Sequence, residues 1–327
     1  MLLYSTGNNT EASASALAQL LANRLRDDLI LHPAWELVEE FTPGGGAVNW
    51  VVMRNLAVVS GLTQDFYLVI GRNVSTGATQ YFICEEYNTT TKTCQYYPPY
   101  YSGSTFNFDS LGRCPSTFVL GTTAVVLTAT QPFARQWNPG GATTKWWLIV
   151  ADDGFTMAWN GPVNTFVQVA SYIPLATLKS DLPIVMTQQT SGGSGPDGGI
   201  IRNPAAANLV APANAGHGLS VYSGGSPFAI YSQAVGLSYG YPLQNDKLND
   251  NKRLVSEVGI VIYVSNQPNI PIFGWFVGKH KSRFRVSQEF LPTSVWGDAF
   301  VMDGTLWVSY LPGASTDGRL WNTGVAA

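Results

Sequence analysis

The chain has 327 residues, with 18 Lys+Arg against 21 Asp+Glu, a formal net charge of −3, and only 12% charged residues. Its 15 Phe, 15 Tyr and 10 Trp exclude a disordered chain, and it lacks the long Glu, Lys, Leu and Ala runs of a coiled coil. The weakly negative balance argues against a nucleic-acid partner, and no stretch reaches the roughly 18 uncharged apolar residues of a membrane-spanning helix.

Met1 to Thr10 has neither a basic start nor an apolar core, so no secretory signal is expected and synthesis belongs in a cytoplasm. Residues 11–30 form the one expected helix, because Leu17, Leu21, Leu25 and Leu29 recur every four residues beside Leu20. Thr10 is its expected N-cap and Glu11 sits in its first turn. Pro33 stops it, since the residue before a proline, His32, is pushed out of the α region.

From Trp35 onward the pattern is β. Trp35–Phe41, Trp50–Asn55, Phe66–Gly71, Thr79–Tyr87, Cys94–Tyr97, Thr117–Thr130, Lys145–Val150 and Phe155–Trp159 are expected strands. Ala151-Asp152-Asp153-Gly154 is a hairpin turn between the last two. Ser191 to Gly199 is a Gly/Ser linker, and Asn203 to Gly218 continues it without periodicity. Beyond Leu219, Val255–Val264, Ile272–Val277, Phe300–Met302 and Thr305–Tyr310 are strands, the last two joined at Asp303-Gly304.

A chain of this length is expected to split into two packed units. The divisions are 1–189 (helix plus β domain), 190–218 (linker or arm) and 219–327 (second β-rich domain). The expected fold class is mainly β: antiparallel sandwich- or barrel-like sheets with one N-terminal α-helix and an extended Gly/Pro-rich arm.

Catalytic chemistry finds little support. The adjacent acids Glu39/Glu40, Glu85/Glu86 and Asp152/Asp153 cannot converge on one substrate, because neighbours on a strand face opposite ways. His32, His217 and His280 accompany no hydrolase or metalloprotease signature. Pro43 to Gly46 and Asn138 to Gly141 match no phosphate-binding loop. Cys84, Cys94 and Cys114 are read as small buried hydrophobes, with Cys84 and Cys94 placed to face each other across a hairpin. No cofactor, no metal and no enzymatic activity are expected.

Two segments stand out as candidate contact sites. Lys279, Lys281, Arg283 and Arg285 share one face at strand period, as a docking stripe for an acidic neighbour or for nucleic acid, or as a charged edge strand that deters aggregation. Tyr96, Tyr97, Tyr100 and Tyr101 surround two prolines and suit a subunit contact or a sugar face. The scarcity of charge itself points to an exterior covered by companions rather than by water.

Three stretches carry a resemblance. They are the opening helix running into Trp35-Glu-Leu-Val-Glu-Glu-Phe41, the strand Asp65-Phe66-Tyr67-Leu68-Val69-Ile70-Gly71-Arg72, and Trp296 to Val308 with its Asp303-Gly304 turn. In these the chain resembles structural proteins of tailed-bacteriophage virions: tail, baseplate or neck components. The resemblance implies a non-enzymatic subunit in several symmetric copies, made in the host cytoplasm and resident in the virion, whose partners are copies of itself and other virion proteins. It supplies no catalytic residue. The alternatives are a receptor- or glycan-binding fibre head using the tyrosine cluster, Trp137 and Trp159, and a cell-wall polysaccharide hydrolase using Asp109, Asp153 or Asp298.

Overall fold

A computed structural model describes residues 1–74, 79–96, 101–102, 105–106, 116–122, 135–137, 141–160, 164–174, 184–189, 197–201, 219–220, 228–233, 242–247, 254–266, 273–280, 284–287, 297, 299–302, 304–310 and 318–326. The first half holds β1 (Leu2–Thr10), α1 (Ala14–Ile30), β2 (Trp35–Phe41), β3 (Val48–Asn55), α2 (Ala57–Ser60), β4 (Phe66–Asn73), β5 (Thr79–Cys84), β6 (Glu86–Asn88) and β7 (Thr93–Tyr96). The short strands β8 (Tyr101–Ser102), β9 (Thr105–Phe106), β10 (Ser116–Val119) and β11 (Arg135–Trp137) follow. Then come β12 (Thr143–Ala151), β13 (Gly154–Asn160), β14 (Asn164–Pro174), β15 (Ile184–Gln189), β16 (Asp197–Ile201), β17 (Leu219–Ser220) and β18 (Phe228–Gln233). The chain ends with β19 (Pro242–Lys247), β20 (Leu254–Asn266), β21 (Phe273–His280), β22 (Phe284–Ser287), β23 (Ala299–Met302), β24 (Thr305–Tyr310) and β25 (Gly318–Ala326).

The protein is mainly β, and its described strand pairings are antiparallel. A 15-stranded sheet follows the path β1-β12-β13-β14-β21-β20-β22-β25-β24-β23, with β15 to β19 branching from it. A five-stranded sheet runs β11-β5-β4-β3-β2, and smaller sheets are β10-β7-β6 and β8-β9. Most neighbours are consecutive in sequence, the product of tight turns. Ala151 pairs with Gly154, leaving Asp152-Asp153 as the two-residue loop the sequence announces. Met302 pairs with Thr305, with Gly304 at φ +68° in the expected second turn.

α1 begins later than Glu11. Ser13 is the N-cap, extended at φ −158°, and its Oγ accepts the Ala16 N–H at 3.1 Å. Thr10 instead ends β1, and the Glu11 N–H is spent on the Ala142 carbonyl at 2.7 Å. The buried stripe is Leu17, Ala18, Leu21, Ala22, Leu25 and Leu29. Its Leu21, Ala22, Leu25 and Leu29 pack into one core with Val48 and Trp50 to Met53 of β3, Leu68 to Ile70 of β4 and alternate residues of β12 and β13. β3 and β4 are buried on both faces, which explains why they read as unbroken apolar runs rather than as alternation.

Two tryptophans are seated over glycines on the neighbouring strand. Trp50 registers with Gly71 and Trp146 with Gly7. A Cβ on Gly71 would lie 2.4 Å from the Trp50 ring, and one on Gly7 would lie 2.7 Å from the Trp146 indole nitrogen. Each indole N–H is anchored at 2.8 Å, Trp50 to the Gly121 carbonyl and Trp146 to Asn9 Oδ1. Trp35 and Phe66 meet edge to face at 5.5 Å, and the Trp35 indole reaches across to the Ala151 carbonyl of β12 at 3.1 Å.

The long sheet returns toward its own start. Gly324 in β25, at φ +75°, lies against Leu2 of β1, where a Cβ would come within 2.4 Å of the leucine Cβ. The ladder between β14 and β21 sets Tyr172, Ile173 and Pro174 opposite His280, Lys279 and Gly278, so hydrogen bonding runs from residues 164–174 directly into 273–280. Within the expected arm, Asp197–Ile201 is strand β16 on β15; residues 202–218 lie outside the described part. No helix among the described residues is long and apolar enough to cross a membrane.

Candidate functional site

The basic segment does not form one regular strand. Lys279 lies in β21 opposite Gly259 of β20, whereas Arg285 lies in β22 opposite Glu257. The two cations are six positions apart while their β20 partners stand two apart, so the pairing along β20 is not continuous between them. Lys281 and Arg283 lie outside the described residues. Of the tyrosines, Tyr96 is in β7 opposite Ser116 and Tyr101 is in β8 opposite Phe106; Tyr97 and Tyr100 lie outside the described residues. Trp137 is in β11 opposite Thr79. Trp159, an expected sugar platform, is 1% exposed and belongs to the core, which corrects that expectation: an indole with no free face cannot stack on a glycan.

The charged side chains near the core are engaged in joining elements of the fold. Arg72, the one cation on the buried run of β4, is 9% exposed. Its guanidinium bonds Glu40 of β2 at 2.6 Å, Asn49 of β3 at 3.0 Å through Nε, and Asn23 of α1. Burial pulls its pKa down while the Glu40 carboxylate pulls it up. Glu40 also receives Arg26 of α1 at 2.9 Å. Glu39, one residue earlier, turns to a different set: it accepts the Tyr87 hydroxyl and the Lys92 ammonium. The adjacent acids therefore serve opposite faces, as the strand geometry requires.

Lys92 closes the turn between β6 and β7. It is the one non-glycine at positive φ among the described residues, at +56°, a conformation disfavoured by about 1 kcal/mol. Its ammonium sits 4.7 Å from the centre of the Phe41 ring, and its carbonyl accepts the Leu120 N–H at 2.8 Å. Burial, reinforced by the bond to Glu39, pushes the Tyr87 hydroxyl well above the usual tyrosine range.

The turn between β12 and β13 gathers a second polar group. His32 is fully buried. Its Nδ1 accepts the Ala34 N–H at 3.2 Å, which leaves the proton on Nε2, directed at the Met1 carbonyl 3.0 Å away and Asp152 Oδ1 3.4 Å away. The Asn55 amide donates to the Asp152 carbonyl at 2.8 Å. Asp153 is 1% exposed and takes the buried Ser171 hydroxyl. Asp65 receives Arg54 at 2.9 Å and caps α2 through the Ala57 N–H at 2.7 Å. His280 is in β21, and His217, Asp109 and Asp298 lie outside the described residues.

No serine, histidine and carboxylate stand in a relay here. Asp152 approaches the histidine while Asp153 holds the serine, and the serine is itself wholly buried. Among the described residues no group of three or more His, Cys, Asp or Glu is placed to hold a metal ion. Sequence reading missed the Arg72 and Lys92 clusters because their partners are remote in the chain. The only local signal for the first was a lone cation closing an apolar strand.

No protein-family model matches the chain, and no curated protein is significantly similar to it.

Proposed function

We propose that the protein is a non-enzymatic structural subunit of a bacteriophage particle, a tail, baseplate or neck component that works through its β-rich contacts. The observation that carries this reading is the use made of charge. In a chain with only 12% charged residues, Glu39, Glu40, Asp65, Asp153, Arg26, Arg54, Arg72 and Lys92 are occupied in tying strands and helices to one another, and the Asp152 carboxylate meets the Met1 amino group. At 12% the chain carries about half the charge of an ordinary soluble protein, and neutral polar surface is cheaply desolvated against another subunit.

In this reading the protein is made in the host cytoplasm and assembles with copies of itself and other virion proteins. Lys279, Lys281, Arg283 and Arg285 and the tyrosines 96, 97, 100 and 101 are the proposed contact segments. Sedimentation velocity and negative-stain microscopy of the purified chain test it, with rings or larger assemblies as the expected result. A clean monomer at high concentration overturns the reading. Reversing the four basic residues to Glu is expected to weaken assembly while leaving the melting temperature within a few degrees.

The fibre-head alternative keeps its tyrosine cluster but loses Trp159 to the core; binding to a glycan array would favour it. The hydrolase alternative loses Asp153, which is sealed against Ser171.

A further inference from the structure

Cys84 ends β5 of the five-stranded sheet, and Cys94 lies in β7 of the three-stranded sheet, opposite Tyr87. The Glu85 N–H donates to the Gln95 carbonyl at 2.9 Å. That single bond sets side by side the two backbone stretches carrying the cysteines, although their strands belong to different sheets. Both residues are 0% exposed and free, and Cys94 is among the groups that push the Cys84 thiol up. A local shift of two backbone stretches joined in this way brings their thiols to bonding distance.

We propose that Cys84 and Cys94 are a modification site: an oxidisable pair that a hydroperoxide converts to a disulfide, pinning the five-stranded sheet to the three-stranded one. The first sulfur, as thiolate, attacks the peroxide O–O bond. It becomes a sulfenic acid, and the peroxide's second oxygen leaves as hydroxide, which takes up the thiol proton to give water. The second sulfur then displaces the sulfenic oxygen, which departs as another water. Overall the two thiols lose two electrons and two protons, and hydrogen peroxide is reduced to two waters.

Burial pushes the Cys84 thiol up, so thiolate is scarce while the core is closed. Access comes with opening of the β6–β7 hairpin, whose Glu86 and Asn88 are already exposed. Once formed, the bond closes a short loop around that hairpin and opposes the same opening. The proposal does not depend on the virion reading, because it concerns chemistry within one chain.

The test treats the purified full chain with hydrogen peroxide, blocks remaining thiols under denaturant, and measures intact mass and unreduced peptide maps. The expected result is one blocking group on the treated chain where the untreated chain, with its 3 cysteines, takes one on each, and one cross-linked peptide joining Cys84 to Cys94. A rise in melting temperature of about 5 °C, reversed by a dithiol reductant, is also expected. Cys114→Ser retains the cross-link, and Cys94→Ser abolishes it. A cross-link to Cys114, or both Cys84 and Cys94 still free to be blocked after treatment, overturns the proposal; the wild-type map decides this without any variant having to fold.

Discussion

Replacing Gly71 by alanine adds one methyl group to the middle of β4, where the Trp50 ring already occupies the space. The new Cβ would lie 2.4 Å from Cζ3 of that ring and 2.9 Å from two further ring carbons, against about 3.5–4.0 Å for ordinary carbon contacts. The ring must therefore retreat by about 1 Å, yet it is fully buried and its indole N–H is held by the Gly121 carbonyl at 2.8 Å. Overpacking costs about 1–3 kcal/mol, and a strained or broken buried hydrogen bond about 1 kcal/mol more. The lower chain entropy of alanine returns about 0.5–1 kcal/mol. Gly71→Ala should thus lose about 2–3 kcal/mol, read as a melting temperature lower by about 3–5 °C and a matching fall in the urea midpoint followed by tryptophan fluorescence. Trp50→Leu removes the clash, so the double variant should be more stable than the sum of the two losses by about 1–2 kcal/mol. A single variant with the wild-type midpoint, or strict additivity in the double, would refute the packing argument.

Gly154→Ala meets backbone rather than a ring: its Cβ would lie 2.0 Å from the Val169 carbonyl oxygen, so a loss above about 4 kcal/mol or insoluble expression is expected. Gly45→Ala, at φ +72° with nothing within 4 Å, should lose only about 1 kcal/mol, and soluble yields of the two variants check the contrast. His32→Ala orphans the Ala34 N–H and should cost about 1–3 kcal/mol, with faster hydrogen exchange at that amide as the specific signature. Tyr87 is raised above its ordinary 10.0 by burial and by Glu39, so the unfolded chain ionises first. Stability from this group is full below about pH 10 and falls as pH rises beyond it. Tyr87→Phe should flatten that decline, and a Tyr87 that ionises near pH 10 in the folded protein, seen in the ultraviolet spectrum, would contradict the assignment.

How much was legible in the sequence varies along the chain for physical reasons. β2 falls at Trp35–Phe41 and β24 at Thr305–Tyr310, as the residue pattern indicates, and the Asp-Asp and Asp-Gly turns are where their side chains demand them. α1 was legible from its leucines, but its start was not, because Ser13 and Thr10 are equally good caps and only the pairing of β1 decides between them. β1 itself was invisible: Ser5 to Thr10 alternates in burial but is polar throughout, so no hydrophobic period betrays it. The basic row at 279–285 reads as one strand until the β20 register is known. The Arg72 and Lys92 clusters join α1, β2, β3, β4 and the β6–β7 turn, a convergence that only the tertiary fold creates.

The partner of β1 has a consequence for how the molecule is made. Leu2 to Thr10 find their hydrogen bonds on Ala151 back to Thr143, so β1 leaves the ribosome long before the strand that satisfies it. At about 5–20 residues per second, it waits for roughly ten seconds or more with its amides bonded to solvent. From Ser5 to Thr10 the strand is Ser, Thr, Gly and Asn alone, and such a stretch can idle in that state without sticking to its neighbours, which a greasier one could not. The polar character that hides β1 from a reader of the sequence is what lets translation run ahead of it.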